Sequence, residues 1–384
     1  MKLIVKILIA MALGIGAGFL LPVEACRLFA TFNGIFSQFL GFLIPLLILG
    51  FVAPAIADIG SGAGRMLAVT ALIAYVFTLG AGLFSYLTGA WLFPHLISPD
   101  PSSAAEIAAA GGAAPEEWFR VDMPPMFSVM TALVLAFVLG LGMAYCGSTA
   151  MKKWFEEFRD IITRTISTVI IPLLPVYIFG IFLSMTVEGT VGTVLLTFVS
   201  IIVVIFVMHV LLLVGQFAIA GIVARVNPLK ALRTMMPAYF TALGTQSSAA
   251  TIPVTLRSSI ATGVRPSVAG FVIPLCATIH MSGSTLKIVA CALALMIMQG
   301  IPYSLPMFVG FIAMLGVTIV AAPGVPGGAI MASLGLLSSM LGFSEADNGL
   351  MIALYIAMDS FGTACNVTGD GSIALIINRI FPNK

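Results

Sequence analysis

MDSFGTACNVTGDGS, residues 358–372, sets two acids, Asp359 and Asp370, in a stretch whose flanks are strongly apolar. A charged side chain at the centre of a bilayer costs about 2.5 to 3.5 kcal/mol even on lenient insertion scales, so acids at membrane depth mark solute or ion pathways. On an α-helix advancing about 100° per residue, Asp359, Thr363, Asn366 and Asp370 fall on one narrow face, the last three standing 4, 7 and 11 positions beyond the first. Thr and Asn alone would be ordinary hydrogen-bonding residues between membrane helices. Two carboxylates on the same face call for a function. They stand about 16 Å apart along the helix, too far for the shared-proton dyad of an aspartyl intramembrane protease, so that enzyme is not expected.

The surrounding composition agrees. The chain has 384 residues, 60% hydrophobic and 8% charged, with mean hydropathy +1.15, far from any soluble globular domain. Apolar runs long enough to cross hydrocarbon, about 20 residues each, lie near 3–22, 33–56, 67–93, 125–146, 161–188, 192–224, 266–300 and 346–381. MKLIVKILIA opens the first run without a convincing small-residue cleavage site, so we read it as a retained first helix rather than a signal peptide. Most Lys and Arg residues fall on one side if both termini are cytoplasmic, with Arg27 and Arg120 on the other. The loop 98–122 is then extracellular, and its Ala/Gly/Pro/Ser content suggests a flexible connection. Five scattered cysteines suggest neither a disulfide framework nor a metal site. A net charge of +2 gives no reason to expect nucleic acid as a partner; the partner expected is the lipid bilayer of a cell membrane.

Two apolar segments are broken in the middle. GTQSSAATIPV, 244–254, carries Ser247 and Ser248 and closes with Pro253; VAAPGVPGGAIM, 320–331, carries Pro323, Gly324, Pro326, Gly327 and Gly328. Non-helical backbone at membrane depth is tolerated only where protein buries it or a cavity meets it. A pair of such breaks in corresponding places points to the solute site of an inverted-repeat transporter. Serine hydroxyls at a helix N-terminus make an anion site. Between the two, IHMSGS, 279–284, interrupts a further helix, where an unwound run with His280 and Met281 would offer carbonyls to a cation. Lys287 lies one turn past Ser284, too deep in its span to snorkel.

In their order and spacing these motifs resemble the dicarboxylate/amino acid:cation symporters, the glutamate transporter family. SSAATIPVT resembles the family's first hairpin tip, IHMSGS its Asn-Met-Asp-Gly-Thr signature, GVPGGAIM its second tip and DSFGTACNVTGD its last-helix motif. The resemblance implies an all-α integral membrane protein of eight transmembrane helices and two re-entrant hairpins, an inverted-repeat elevator assembled as a homotrimer. Residues 1–62 and 123–190 would be the scaffold and trimerisation domain. Residues 63–95 and 191–384 would be the transport domain, with hairpins at about 229–257 and 302–342, and residues 96–122 the extracellular loop.

Site roles follow from the same resemblance. Ser248, with Ser247 beside it, and Asn366 would hold a solute carboxylate, Asp359 and Thr363 an amine, with Ser284, Lys287 and Gly362 nearby. Asn366 and Asp370 would bind one sodium ion, Met281 a second. Tyr75 and Thr78 match two members of a third sodium site, which has lost its charge because His280, Ser282 and Leu79 replace its Asn, Asp and Ser. The acidic-solute members have Arg where this chain has Gly362, and none stands at Gln246 in the first tip; a tyrosine near that arginine is Lys287 here. Three Asp and one Arg become Asp359, Asp370 and Lys287, moving the formal site charge from −2 to −1. This implies fewer coupling sodium ions, with a proton on His280 as a further candidate, and no other cofactor.

The expected activity is cation-coupled amino acid symport, leaning toward aspartate or glutamate if Lys287 replaces the arginine. The alternative is a neutral amino acid of serine or alanine type if Lys287 pairs with an acid. A solute-gated channel is the distant alternative.

Overall fold

The computed structural model describes residues 3–60, 65–97, 115–189, 191–320 and 327–382. They form α1 (Leu3–Leu20), α2 (Val23–Gly60), α3 (Arg65–Leu96), α4 (Val129–Cys146) and α5 (Thr149–Thr165). After a π-helical turn, Ile166–Ile170, come α6 (Ile171–Val187), α7 (Val191–Ala224), α8 (Pro228–Thr245), α9 (Ser248–Ala261) and α10 (Pro266–Ile279). The last five are α11 (Ser282–Met298), α12 (Leu305–Val320), α13 (Gly328–Leu341), α14 (Glu345–Ala357) and α15 (Asp359–Ile380). Among the described residues there is no strand.

Among the described residues five stretches are long and apolar enough to cross a membrane: Glu24–Pro54, Arg65–Leu96, Thr149–Val187, Phe198–Ala224 and Pro266–Met298. The pair α14–α15 is a sixth, bent by 62°. The apolar parts of α1 and α4, Val5–Leu20 and Thr131–Cys146, are shorter.

Several sequence boundaries move. The run placed at 33–56 lies inside a helix of 38 residues that passes through Pro45 and Pro54. The run at 266–300 is two helices parted at His280–Met281, where IHMSGS is expected to interrupt it, whereas the run at 346–381 is parted at Met358 without such an expectation. Pro253 does not close the first hairpin tip; it sits inside α9, and the hairpin runs on to Ala261. Neighbouring helices can re-satisfy the backbone group a proline frees. The second hairpin's tip residues Pro323, Gly324 and Pro326 lie outside the described residues, as does 98–114 of the long loop. Next to that gap the loop is tied to α2: Trp118 N donates to Thr31 Oγ1 at 2.9 Å and Arg27 Nε to the Glu116 carbonyl at 3.2 Å.

Local chemistry explains the ends. Asn227 accepts the Lys230 amide and Pro228 opens α8, a position where its missing N–H costs nothing. At the first hairpin tip Gln246 ends α8 in the left-handed region, φ 56°, and Ser247 accepts the Ala250 amide to start α9. Thus two residues reverse the chain. Ser344 and Asp347 form a reciprocal capping box on α14.

Two groups of helices pack mostly among themselves. α2 lies along α4 and α5, and α1 along α6; α11 lies along α3, and α15 is surrounded by α7, α8, α9, α10 and α11. α11 is buried from Ser282 to Ile297, so polar groups on it and on α15 must be satisfied from within. Cys26, Cys276, Cys291 and Cys365 are buried, while Cys146 ends α4 exposed.

Candidate solute and cation site

The site is built around the break between α10 and α11. There the backbone leaves the helix at His280 and re-enters it at Ser282, and Asn366 on α15 knits the gap. Its Oδ1 accepts the amides of Gly283 at 2.8 Å and Ser284 at 3.3 Å, and its Nδ2 donates to Ser284 Oγ at 3.1 Å and to Met281 Sδ at 3.5 Å. Close approach of the two helices needs Gly283, because a Cβ there would stand 2.7 Å from both Cys365 Cβ and the Gly362 carbonyl oxygen. On the far side, His209 Nε2 lies 3.0 Å from the Gly283 carbonyl oxygen, so that nitrogen carries the ring proton. Tyr355 donates its hydroxyl to Ser284 Oγ at 3.0 Å.

Each acid has a nitrogen partner from the other side of the break. Lys287 Nζ stands 3.0 Å from Asp359 Oδ1, with the lysine fully buried. It also donates to the carbonyls of Tyr355 at 3.4 Å and Met358 at 3.5 Å and lies 3.4 Å from the centroid of the Tyr355 ring, a cation–π distance. Asp359 Oδ2 accepts the Gly327 amide at 3.0 Å, which joins the last helix to the start of α13. Gly362 explains the lysine's path: a Cβ there would meet Lys287 Cε and Nζ, each at 2.8 Å.

Asp370 Oδ1 is 2.9 Å from His280 Nδ1. The imidazole's other nitrogen faces Gln216 Nε2 at 3.4 Å, and that amide donates to Ser282 Oγ at 3.0 Å. Asp370 Oδ2 and Gln216 Oε1 are buried with no hydrogen-bond partner among the described residues. Such orphan oxygens are donors of the kind a hard cation takes.

A cavity of about 80 Å³ opens against this cluster. It is lined by Gln246, Ser247, Ser248, Met281, Ser284, Gly327, Gly328, Tyr355, Asp359, Thr363 and Asn366, among others. Two helix N-termini face it, α9 at Ser248 and α13 at Gly328, so it favours negative charge. Gln246 is anchored by its Nε2 on Ser360 Oγ at 2.7 Å. Lys287 and Gly362 are not in the lining; they sit behind Asp359. Tyr75 and Thr78 are apart as well: the Tyr75 hydroxyl donates to the Ala313 carbonyl on α12 at 3.0 Å and Thr78 to Ala74 in its own helix at 2.9 Å. From α3, Phe77 comes near the break, its ring centroid 6.3 Å from that of His280. A larger hollow of about 550 Å³ between α2, α6 and α14 contains none of the residues singled out in the sequence.

His209, Gln216 and Tyr355 do not stand out in the motifs. The first two are polar side chains seven apart in the run 192–224, and that expense in an apolar helix is the signal that points to them.

The family model for sodium:dicarboxylate symporters matches residues 3–380. The chain belongs to this family. Like this symporter-family chain, the serine/threonine transporter SstT of Acinetobacter baumannii (strain AYE) runs nearly the full length of the match: it is 28% identical, with 96% of this chain and 94% of the relative covered. The serine/threonine transporter SstT of Acinetobacter baylyi is 25% identical to this symporter-family chain, with coverages of 99% and 97%. The chain is therefore a multi-pass membrane protein of a transporter family.

Proposed function

We propose that the protein is a sodium-coupled symporter of a small neutral amino acid, of the serine and threonine type. The observation that carries this reading is the placement of Lys287, which is bound to Asp359 behind the cavity and presents no charge to a solute side chain. This favours the neutral alternative over the leaning toward aspartate or glutamate, which required that ammonium to face the solute; the names of the relatives also support the neutral solute. In the proposed complex the solute carboxylate meets the N-terminus of α9 at Ser248 and that of α13 at Gly328. The amine meets Thr363 and Asp359 Oδ2, taking the place of the Gly327 amide as the second hairpin opens. A carboxylate accepts about four hydrogen bonds, so Asp359 can serve Lys287 and an amine together. Sodium is assigned to Asp370 Oδ2, unpartnered among the described residues, with the Asn366 carbonyl as a second ligand.

The same proposal takes residues 1–62 and 123–190 as a scaffold and 63–95 with 191–384 as the moving domain, in eight spans, two hairpins and a homotrimer with both termini cytoplasmic. The packing of α1, α2, α4, α5 and α6 mostly with one another supports that division. The test is uptake by reconstituted protein of radiolabelled serine, threonine and aspartate under an inward sodium gradient. Serine or threonine uptake that collapses when choline replaces sodium is expected. A preference for aspartate, uptake indifferent to sodium, or ohmic current without solute overturns the reading.

A further inference from the structure

Among the described residues Lys287 Nζ meets the Asp359 carboxylate at 3.0 Å, two carbonyl oxygens and the face of Tyr355. The remaining oxygen of Asp359 holds the Gly327 amide. The ammonium is held in place by packing as well as by charge, since it fills the space that any side chain on residue 362 would need. A buried carboxylate without a counter-charge is among the most expensive groups to carry through a low-dielectric interior. Here the compensating charge is covalently attached and cannot dissociate.

We infer that Lys287 is a tethered counter-cation, which keeps Asp359 neutralised whenever no solute amine is present and so lets the unloaded carrier return across the membrane without an ion bound there. The inference rests on the symport reading above, because a symporter completes its cycle by bringing the unloaded site back. The loaded crossing depends on the lysine less, for the solute amine stands beside Asp359 while the solute's own carboxylate is met by the N-termini of α9 and α13. The other acid does not change this argument. Asp370 is faced by His280, with Gln216 behind it, and whatever balances it, removing Lys287 adds one uncompensated negative charge to the unloaded site.

Two modes of transport by the full chain in proteoliposomes separate these steps. Net uptake of radiolabelled serine into serine-free vesicles requires the unloaded return; exchange against serine already inside does not. For Lys287→Met the ratio of net uptake to exchange is expected to fall at least about tenfold below wild type, given the cost of baring one member of a buried pair. Wild-type net uptake is expected to be equal in vesicles loaded with potassium or with N-methylglucamine, because no internal small cation is needed. An unchanged ratio in the variant overturns the inference, and so does a wild type that requires internal potassium. Should Lys287→Met be inert in both modes, the comparison of internal cations in wild type decides alone. Failure of wild-type serine exchange is a different result, which strikes the neutral-solute reading and takes the inference with it.

Discussion

Gly362 and Lys287 share one volume, the glycine leaving what the lysine fills. A methyl group on residue 362 would press on Lys287 Cε and Nζ, so Gly362→Ala is expected to destabilise the protein by about 1 to 3 kcal/mol, the usual cost of overpacking. In a Lys287→Ala background the same change escapes that clash, and its cost should vanish or reverse, since alanine is the better helix former. Thermal unfolding of the four proteins in detergent gives the coupling directly, and an additive result would show that the two residues do not share space. The polar face Asp359, Thr363, Asn366 and Asp370 was legible from spacing alone, because helical periodicity fixes which side chains share a side. Their partners were not. Whether Lys287 met an acid or a solute depended on how α11 turns against α15, and the fact that Asn366 knits the break between α10 and α11 depends on backbone amides that no side-chain pattern records. Tyr355 was hidden for a plainer reason: an aromatic in an apolar run looks like packing until its hydroxyl is seen on Ser284.

Breaks in the helices were easier to find than their limits. Ser, Gly and Pro clusters marked the first hairpin tip and the IHMSGS interruption, because such residues mark places where backbone amides lose their helical partners. Proline misled at the first tip, where α9 passes Pro253 without ending, as α2 passes Pro45 and Pro54. The bend at Met358 carried no Gly or Pro signal, and there Asp359 opens a new helix with its carboxylate already held by Lys287 and Gly327. At the element scale the capping box of α14 gives a clean measurement. Ser344 accepts the Asp347 amide at 3.2 Å and donates its hydroxyl to the same carboxylate at 2.6 Å. Ser344→Ala is expected to lower stability by about 0.5 to 2 kcal/mol and Ser344→Thr by less. If the two variants melt alike, the hydroxyl is not what starts the helix.

At the scale of the whole molecule, the two groups of helices meet across glycines. Gly335 on α13 faces Ile44 and Val129, where a Cβ would lie 2.5 Å from each side chain, and a Cβ on Gly349 of α14 would run into Ile181 Cδ1 on α6. If α13 and α14 slide past α2, α4 and α6 during transport, bulk at these points should hinder the movement and spare the site. Gly335→Val and Gly349→Val are each expected to reduce the maximal uptake rate about tenfold, the effect of roughly 1.4 kcal/mol of added crowding, with little change in the half-saturating solute concentration. An increase in that concentration at unchanged maximal rate would place the glycines in binding instead. The overall plan of many apolar spans and two broken segments was visible in hydropathy, whereas the contact of the two groups was not, since a glycine against an isoleucine leaves no trace in either segment alone. The cysteines carry one last consequence. With Cys26, Cys276, Cys291 and Cys365 buried and Cys146 exposed at the end of α4, the native chain already holds a single address for a water-soluble thiol reagent. If α4 runs inward from the long loop, a membrane-impermeant maleimide should tag inside-out vesicles and leave right-side-out ones unmarked, and the opposite pattern would turn the whole protein over in the bilayer.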